Sequence, residues 1–211
     1  MRTSFRCLSA LVAGLLTSST GAAQKRPVTQ PLVTAAVAGQ GVALIPINMV
    51  VIDPEVPAGT VSADRATLFR WTDSLLADGA MSRAPEVTWI PPAELRRLAR
   101  RGGGLVPNPD QMGQSVMRGW SLKSVPDPLR SNLRKLLAVA GGWRYALIPA
   151  SLLIKVDTTG ALSVSLAVLL ADVRTGRVVW RSVAKGSGGT AEQALGKAIA
   201  TIFPVEDEGP Q

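Results

Sequence analysis

The residues of this sequence that could do chemistry are mainly arginines and carboxylates, because the chain has no histidine and only one cysteine, Cys7. Without histidine, Ser-His-Asp and Cys-His catalysis, His-ligated zinc and imidazole pH switching are excluded. Acid and base catalysis would need two carboxylates in a cleft, and Asp53 with Glu55 is the pair nearest a predicted strand end. Since aspartate before proline commonly serves in turns, we expect no enzyme here; a hydrolase that uses this pair is the alternative.

Two glycine-rich stretches could in principle hold a phosphate. Residues 185–190 (KGSGGT) precede a predicted helix, but no lysine follows the second glycine of a Walker spacing. Residues 102–104 (GGG) follow a helix rather than a strand. We therefore predict a flexible loop with Thr190 as a capping residue, a helix stop at Gly102, and no cofactor or metal site.

Positive charge is concentrated in one part of the chain. Between Glu94 and Lys135, nine basic and three acidic residues give a local charge of +6, compared with +8 for the whole chain. Such an excess predicts an anionic partner, although a solvated helix face is an equally good interpretation. An acidic protein, phospholipid head groups or an envelope polymer would fit, and another copy of the chain is a further option. Nucleic acid is not expected, because an exported protein rarely meets it and no recognition motif is present.

Arginines repeat at helical spacing within this stretch, and a tryptophan lies between the two repeats. In a helix, an i, i+4 spacing places both members of a pair on one side. Trp120 would be an interface anchor if exposed, or would close the edge of the core if buried. The predicted partner-binding residues are Arg96, Arg97, Arg100, Arg101, Trp120, Arg130 and Arg134.

Residues 1–23 have the pattern of a secretory signal. Arg2 and Arg6 precede an apolar run at 7–16, and small residues at 21–23 suit cleavage after Ala23. Because Cys7 precedes most of the apolar run, we expect a soluble periplasmic or secreted protein rather than a lipoprotein. The mature chain would then contain no cysteine, and its stability would depend on packing alone.

The first half of the remaining chain predicts alternating strands and helices. Residues 24–40 are a linker or a lead-in strand, and residues 41–53 form one strand buried on both faces. A helix capped by Ser62 ends at Gly79. A strand at 86–90 and a helix at 93–101 follow, the helix opened by two prolines.

The second half predicts a helix, three strands and a final helix. Asp127 caps a helix that ends near residue 140, and residues 162–170 alternate with the period of two of a half-buried strand. Pro149 predicts a bulge in the first of the three strands. Thr190 and Gln193 form a capping box, and residues 205–211 an acidic disordered tail. The predicted fold is one α/β domain at 41–204, with a mixed sheet, an antiparallel C-terminal three-strand meander and about four helices.

Residues 171–180 (ADVRTGRVVW) resemble the Asp-x-x-Thr-Gly-x-x-x-Trp hairpin of a known envelope family. That family comprises the amino-terminal domain of the translocation protein TolB and the CsgG-like and LpoB-like periplasmic domains. Residues 142–147 (GWRYAL), the alanine-rich last helix and the order of elements are similar as well, so the resemblance covers about residues 41–204. It implies a non-enzymatic periplasmic interaction or assembly module; a binder of anionic polymer or lipid through the arginine-rich helices is the alternative.

Overall fold

The computed structural model describes residues 28–204; the predicted signal and the acidic tail lie outside them. Within this range six strands and four α-helices follow one another, and three short 3-10 helices lie at Thr34–Val37, Pro109–Gln111 and Gln114–Arg118. The elements are β1 (Gly41–Leu44), β2 (Val50–Ile52), α1 (Arg65–Arg83), β3 (Thr88–Ile90), α2 (Pro92–Arg101), α3 (Leu129–Val139), β4 (Tyr145–Val156), β5 (Leu162–Asp172), β6 (Arg177–Gly188) and α4 (Ala191–Ile202).

All six strands belong to one mixed sheet. The order is β3-β1-β4-β5-β6, and β2 pairs with β4 beside β1. The strands β1, β2 and β3 make only parallel pairs, whereas β5 pairs antiparallel with both β4 and β6. This architecture confirms the predicted α/β class, the C-terminal three-strand meander and the four helices.

The helices cover the sheet from both sides and form two hydrophobic cores. On one face, α1 and α4 pack on the strands, with Leu76, Leu195 and Ile199 buried against Leu166 of β5. On the other face, α2 and α3 bury their leucines against the opposite set of strand residues. Strands with a helix layer on each side need apolar residues on both faces, as in the run 168–171 of β5, whose residues are all buried.

The segment predicted as one strand at 41–53 is two strands. Pro46 lies at the break; it lacks a backbone N–H, and its carbonyl is used by the side chain of Gln114. The chain continues as β2, which pairs with β4 further along, at Leu152 to Ile154. The prediction of burial on both faces is therefore wrong for β2, where Val51 and Ile52 are exposed.

The ends of α1 differ from the prediction at both termini. Asp64, rather than Ser62, is the N-cap, and its carboxylate accepts a hydrogen bond from the Thr67 amide at 2.7 Å. The hydrogen bonds from the side chain and the backbone of Thr67 are the main causes that lower the pKa of the Asp64 carboxyl. Gly79 lies inside the helix. It is glycine because a Cβ there would overlap the side chain of Ile199 on α4. This glycine permits close helix packing and does not end α1.

The glycine-rich segment at 185–190 is not a flexible loop, because β6 continues through Gly188. A Cβ on Gly186 would overlap the carbonyl oxygen of Ala194, so glycine lets α4 lie directly on β6. The capping box that follows is confirmed: Thr190 accepts from the Gln193 amide, and Gln193 accepts from the Gly189 amide. The irregularity predicted at Pro149 is confirmed by a register shift between Pro149 and Ser151.

Residues 28–40, here called the N-terminal belt, run from the edge of β6 to β3. The belt meets β6 at Val183, whose amide donates to the Val28 carbonyl at 3.4 Å, and it meets β3 where the Thr88 amide donates to the Gln40 carbonyl at 3.1 Å. Leu32 and Val37 of the belt are buried in the core beneath α1 and α4.

Candidate interaction surface

The amphipathic helix α2 carries the first group of predicted site residues. Its first turn opens with Pro92, and Leu95 is fully buried against β1 and α3. Arg97, Arg100 and Arg101 are exposed. Arg97 pairs with Glu94 one turn earlier, and this hydrogen bond lowers the pKa of the Glu94 carboxyl. The exposed cations of α2 therefore lie mainly at its C-terminal end, where they also complement the helix dipole.

Arg96 differs from its neighbours because its guanidinium joins two carboxylates of the same chain. It contacts Asp73 of α1 at 2.5 Å and Asp110 of a 3-10 helix at 2.7 Å. Asp73 also accepts the Ile47 amide at 2.8 Å. Burial raises the pKa of Asp73 to about 6, against the opposing effect of the Ile47 amide and Arg96. Arg96 thus ties α1, α2 and the β1–β2 connection together.

A buried amide cluster lies beside this ion network, and the sequence interpretation did not foresee it. The side chain of Gln114 donates to the carbonyls of Pro46 and Pro109, at 2.7 and 2.8 Å, and accepts from Asn48 at 3.0 Å. Within residues 28–204 only two buried side-chain atoms lack a hydrogen-bond partner, and Asn48 Oδ1 is one of them. The cluster replaces the backbone hydrogen bonds lost at the Pro46 break.

The two arginines of α3 hold the β5–β6 hairpin. Arg134 donates to the carbonyls of Val173, at 3.2 Å, and Arg174. Arg130 covers Gly176 so closely that a Cβ there would lie 2.6 Å from its Nε. Because Gly176 also has a φ of +78°, glycine is required at this turn.

The hairpin motif itself is organised by Asp172. Its carboxylate accepts the amides of Arg174 and Thr175, at 3.0 and 3.1 Å, and pairs with Arg144 at 2.7 Å. Desolvation acts to raise the pKa of this carboxyl, but the hydrogen bonds from Arg144 and Thr175 outweigh it and lower the pKa. The aspartate of the Asp-x-x-Thr-Gly pattern is therefore a structural turn residue.

Trp120 is half-buried and lines an open groove of about 1000 Å³ at the edge of β6. The arginine beside it is Arg181 of β6, whose guanidinium carbon lies 5.6 Å from the centroid of the Trp120 ring. Arg181 donates to the carbonyls of Gly119 and Leu122, at 2.5 and 3.1 Å, and so fixes the loop that carries the tryptophan. We call this the Trp120 groove; the residues used below are Val28, Trp120, Leu122, Lys123, Arg177 and Arg181.

The structure therefore divides the seven predicted site residues into three sets. Arg97, Arg100 and Arg101 are on the surface of α2, which packs on β1. Trp120 lies at the edge strand β6, which β4 and β5 separate from β1. Arg96 and Arg134 bind groups within the chain, and Arg130 packs over Gly176 with its Nε buried and without a hydrogen-bond partner. Sequence reasoning missed Arg181, because a lone arginine in a strand does not show which loop it will contact. Partner binding by any of the seven stays a prediction.

The carboxylate pair considered for catalysis lies in the turn after β2. Asp53 accepts the Glu55 amide at 3.1 Å, which is the turn role expected of an aspartate before proline. Across residues 28–204 no group of three potential metal-ligating side chains is found. None of the helices in this range is long and apolar enough to cross a membrane.

Several solved structures are similar to this chain. The LpoB C-terminal domain from Salmonella enterica matches with 16% identity and a TM-score of 0.39, over 72% of this chain and 84% of that chain. PelC from Paraburkholderia phytofirmans, solved as a dodecamer, matches with 15% identity and a TM-score of 0.36, over 83% and 94%. The lipoprotein GNA1162 from Neisseria meningitidis matches with 14% identity and a TM-score of 0.34, over 71% and 81%.

No family model matches the sequence, and no curated protein matches it either. LpoB, which the predicted resemblance names, is among the structures found, whereas the resemblance to TolB and CsgG stays a prediction. At these identities and TM-scores the similar structures do not define the family or the activity of this chain. The description of the Neisseria protein as a lipoprotein applies to that protein, and Cys7 of this chain lies outside the described residues.

Proposed function

We propose that this protein is a non-enzymatic module of the cell envelope that binds another protein, and that the Trp120 groove is its main contact surface. The observation that carries the proposal is the combination, in one open groove, of a half-buried tryptophan with the cations Lys123, Arg177 and Arg181. Tryptophan and arginine are the residue types most enriched at the energetic centres of protein interfaces. Residues 1–23 support a periplasmic or secreted location.

The rest of the site supports binding rather than catalysis. The two buried carboxylates of the described residues, Asp73 and Asp172, accept hydrogen bonds from arginines and from backbone amides. Asp73 does line a pocket of about 320 Å³, but its two oxygens already accept from the Ile47 amide and from Arg96, which favours a structural role.

A photo-crosslinking experiment tests this function. The photoreactive residue benzoylphenylalanine replaces Lys123 in the groove or, as a control, the exposed Glu192 of α4. Each variant is expressed in its host and illuminated. We expect a discrete crosslinked protein from position 123 that persists at moderate salt, and none from position 192. Crosslinks to no protein at either position would contradict the proposal.

A second candidate, binding of an anionic polymer or lipid surface, is favoured by one observation. Arg100 and Arg101 are exposed at the end of α2, and within the described residues neither makes an ion pair. Vesicles that contain phosphatidylglycerol, and dextran sulfate as a polymer, are suitable probes. This function predicts binding that weakens log-linearly with salt and is abolished by Arg100→Glu with Arg101→Glu. Arg96 is left unchanged in this variant because of its internal ion pairs.

A further inference from the structure

The edge of β6 is paired at two places, and the Trp120 groove lies between them. On one side the Val125 amide donates to the Gly176 carbonyl at 2.8 Å, and the Val178 amide donates to the Lys123 carbonyl at 3.0 Å. On the other side the belt pairs with Val183 through Val28 and Thr29. The 123–125 segment and the belt thus flank the edge of β6 between Val178 and Val183. An extended segment would fit along this edge between them.

The groove carries positive charge that no carboxylate of its lining balances. Lys123, Arg177 and Arg181 are among its lining residues, and none of these residues is acidic. Arg181 is half-buried, and burial lowers its pKa; its donors meet only carbonyl oxygens and the ring of Trp120. A carboxylate brought into the groove would compensate a charge that residues 28–204 leave without a counter-ion.

The groove also presents apolar surface between these cations. The ring of Trp120 and the side chain of Leu122 are half-buried, and Val28 of the belt is 58% exposed. An occupant that covers them must offer apolar side chains as well as negative charge. A free phosphate or a sulfated polymer offers the charge alone, whereas a peptide strand offers both on alternate residues.

We infer that the Trp120 groove binds an extended, acidic segment of a partner protein, with apolar side chains on Trp120 and Val28 and carboxylates at Lys123, Arg177 and Arg181. This inference deepens the proposed function and rests on it. Arg181 positions the Trp120 loop, whereas Lys123 and Arg177 are exposed and can meet the partner directly.

The test measures binding of a short fluorescent peptide in which glutamate alternates with valine and tyrosine, by fluorescence anisotropy. A peptide with lysine for every glutamate, phosphatidylglycerol vesicles and dextran sulfate are the comparison probes. The groove variant is Lys123→Glu with Arg177→Glu. Its matched control is Arg100→Glu with Arg101→Glu, which makes the same change in net charge on another exposed surface.

We expect saturable binding of the acidic peptide, weakened about tenfold or more by the groove variant and by Trp120→Ala, but little by the α2 control. Trp120→Phe should keep part of the affinity, and thermal melts show whether each variant is folded. Amide chemical shifts of the uniformly labelled protein should change at residues 28–30, 120–124 and 177–181 when the peptide is added.

Three outcomes would overturn the inference: equal binding of the lysine peptide, equal weakening by the groove and α2 variants, or shift changes elsewhere. Tighter binding of vesicles or dextran sulfate, lost in the α2 variant, would favour the anionic-surface function instead. A protein crosslinked at another surface, together with no peptide binding in the groove, would keep the proposed function and overturn only this inference.

Discussion

Several arginines donate hydrogen bonds to groups of the same chain that are far away in the sequence, among them Arg96, Arg134, Arg144 and Arg181. The spacing of Arg96 and Arg100 correctly predicts a common side of a helix, but it does not show which carboxylate folds against that side. Asp73 is 23 residues from Arg96, and Arg181 is 62 residues from its acceptor Gly119. Contacts this distant in sequence depend on the tertiary fold, which explains why single-sequence reasoning took Arg96 and Arg134 for surface residues.

Asp73 should make the stability of the protein depend on pH. Its pKa of about 6 in the folded state exceeds the ordinary value of 3.8, so the folded state holds the proton more strongly than the unfolded state. The free energy of unfolding therefore falls by up to about 3 kcal/mol, from this group alone, as the pH rises from well below 4 to well above 6, and about 2 kcal/mol of this loss occurs between pH 4 and pH 6. Asp73→Asn removes this contribution, and urea denaturation across that pH range measures it.

As the pH rises, the wild type should therefore lose stability and Asp73→Asn should not. The free energy of unfolding of the variant should increase relative to that of the wild type. Asp78→Asn, at an exposed position of the same helix, is the control and should follow the wild type. Parallel pH profiles for the wild type and Asp73→Asn would show that burial does not perturb this carboxyl.

Several elements of the C-terminal half follow from local patterns, although Asp127 is not the N-cap of α3, whereas the elements of the first half depend more on distant partners. The alternation at 162–170 and the capping box at Thr190 need no tertiary information, and both are confirmed. Glycine commonly ends a helix or a strand, and the local sequence predicts such an end at Gly79 and near Gly186. Both residues nevertheless lie inside regular elements. They are glycine because another backbone or side chain occupies the space of a Cβ, and no local pattern reports that.

Two glycines of the β6–α4 unit provide a matched test of this explanation. A Cβ on Gly186 would overlap the backbone of α4, and Gly186→Ala should cost about 1–3 kcal/mol, because α4 must move away from the sheet. A Cβ on Gly196, within α4, would meet no other group within 4 Å, and Gly196→Ala should stabilise by up to about 1 kcal/mol. Chemical denaturation of both variants measures the difference, and equal effects of the same sign would contradict the packing explanation.

At the scale of the whole molecule, the sequence predicts the class, the meander and the helix layers, but not how the N-terminal belt is used. The two prolines and the lack of period of residues 24–40, which include the belt, predict a linker or a lead-in strand. In the structure Trp180 donates its indole N–H to the Pro31 carbonyl at 2.9 Å, and the belt closes one wall of the Trp120 groove. A segment held by such scattered contacts has no repeating pattern from which its path could be predicted.

Removal of the belt should destabilise the entire fold. A chain that begins at Gly39 loses the burial of Leu32 and Val37, and two buried apolar side chains contribute about 3–6 kcal/mol. A chain that begins at Gln24, the predicted mature start, keeps both residues and should match the full-length protein. Thermal unfolding of the two chains measures the effect, and equal midpoints would show that the belt is only a linker.

The position of β4 determines when the rest of the sheet can assemble. Three strands from the first half of the chain reach the sheet only through it, since β1 and β2 pair with β4, and β3 pairs with β1. A polypeptide that crosses a membrane amino terminus first would deliver these strands long before their template at 145–156 arrives. The early half could then form only the β1–β3 pair, while the later hairpins form quickly from near neighbours. In such an export the Trp120 groove, whose lining includes Arg177 and Arg181, would form only after the carboxy-terminal half had emerged.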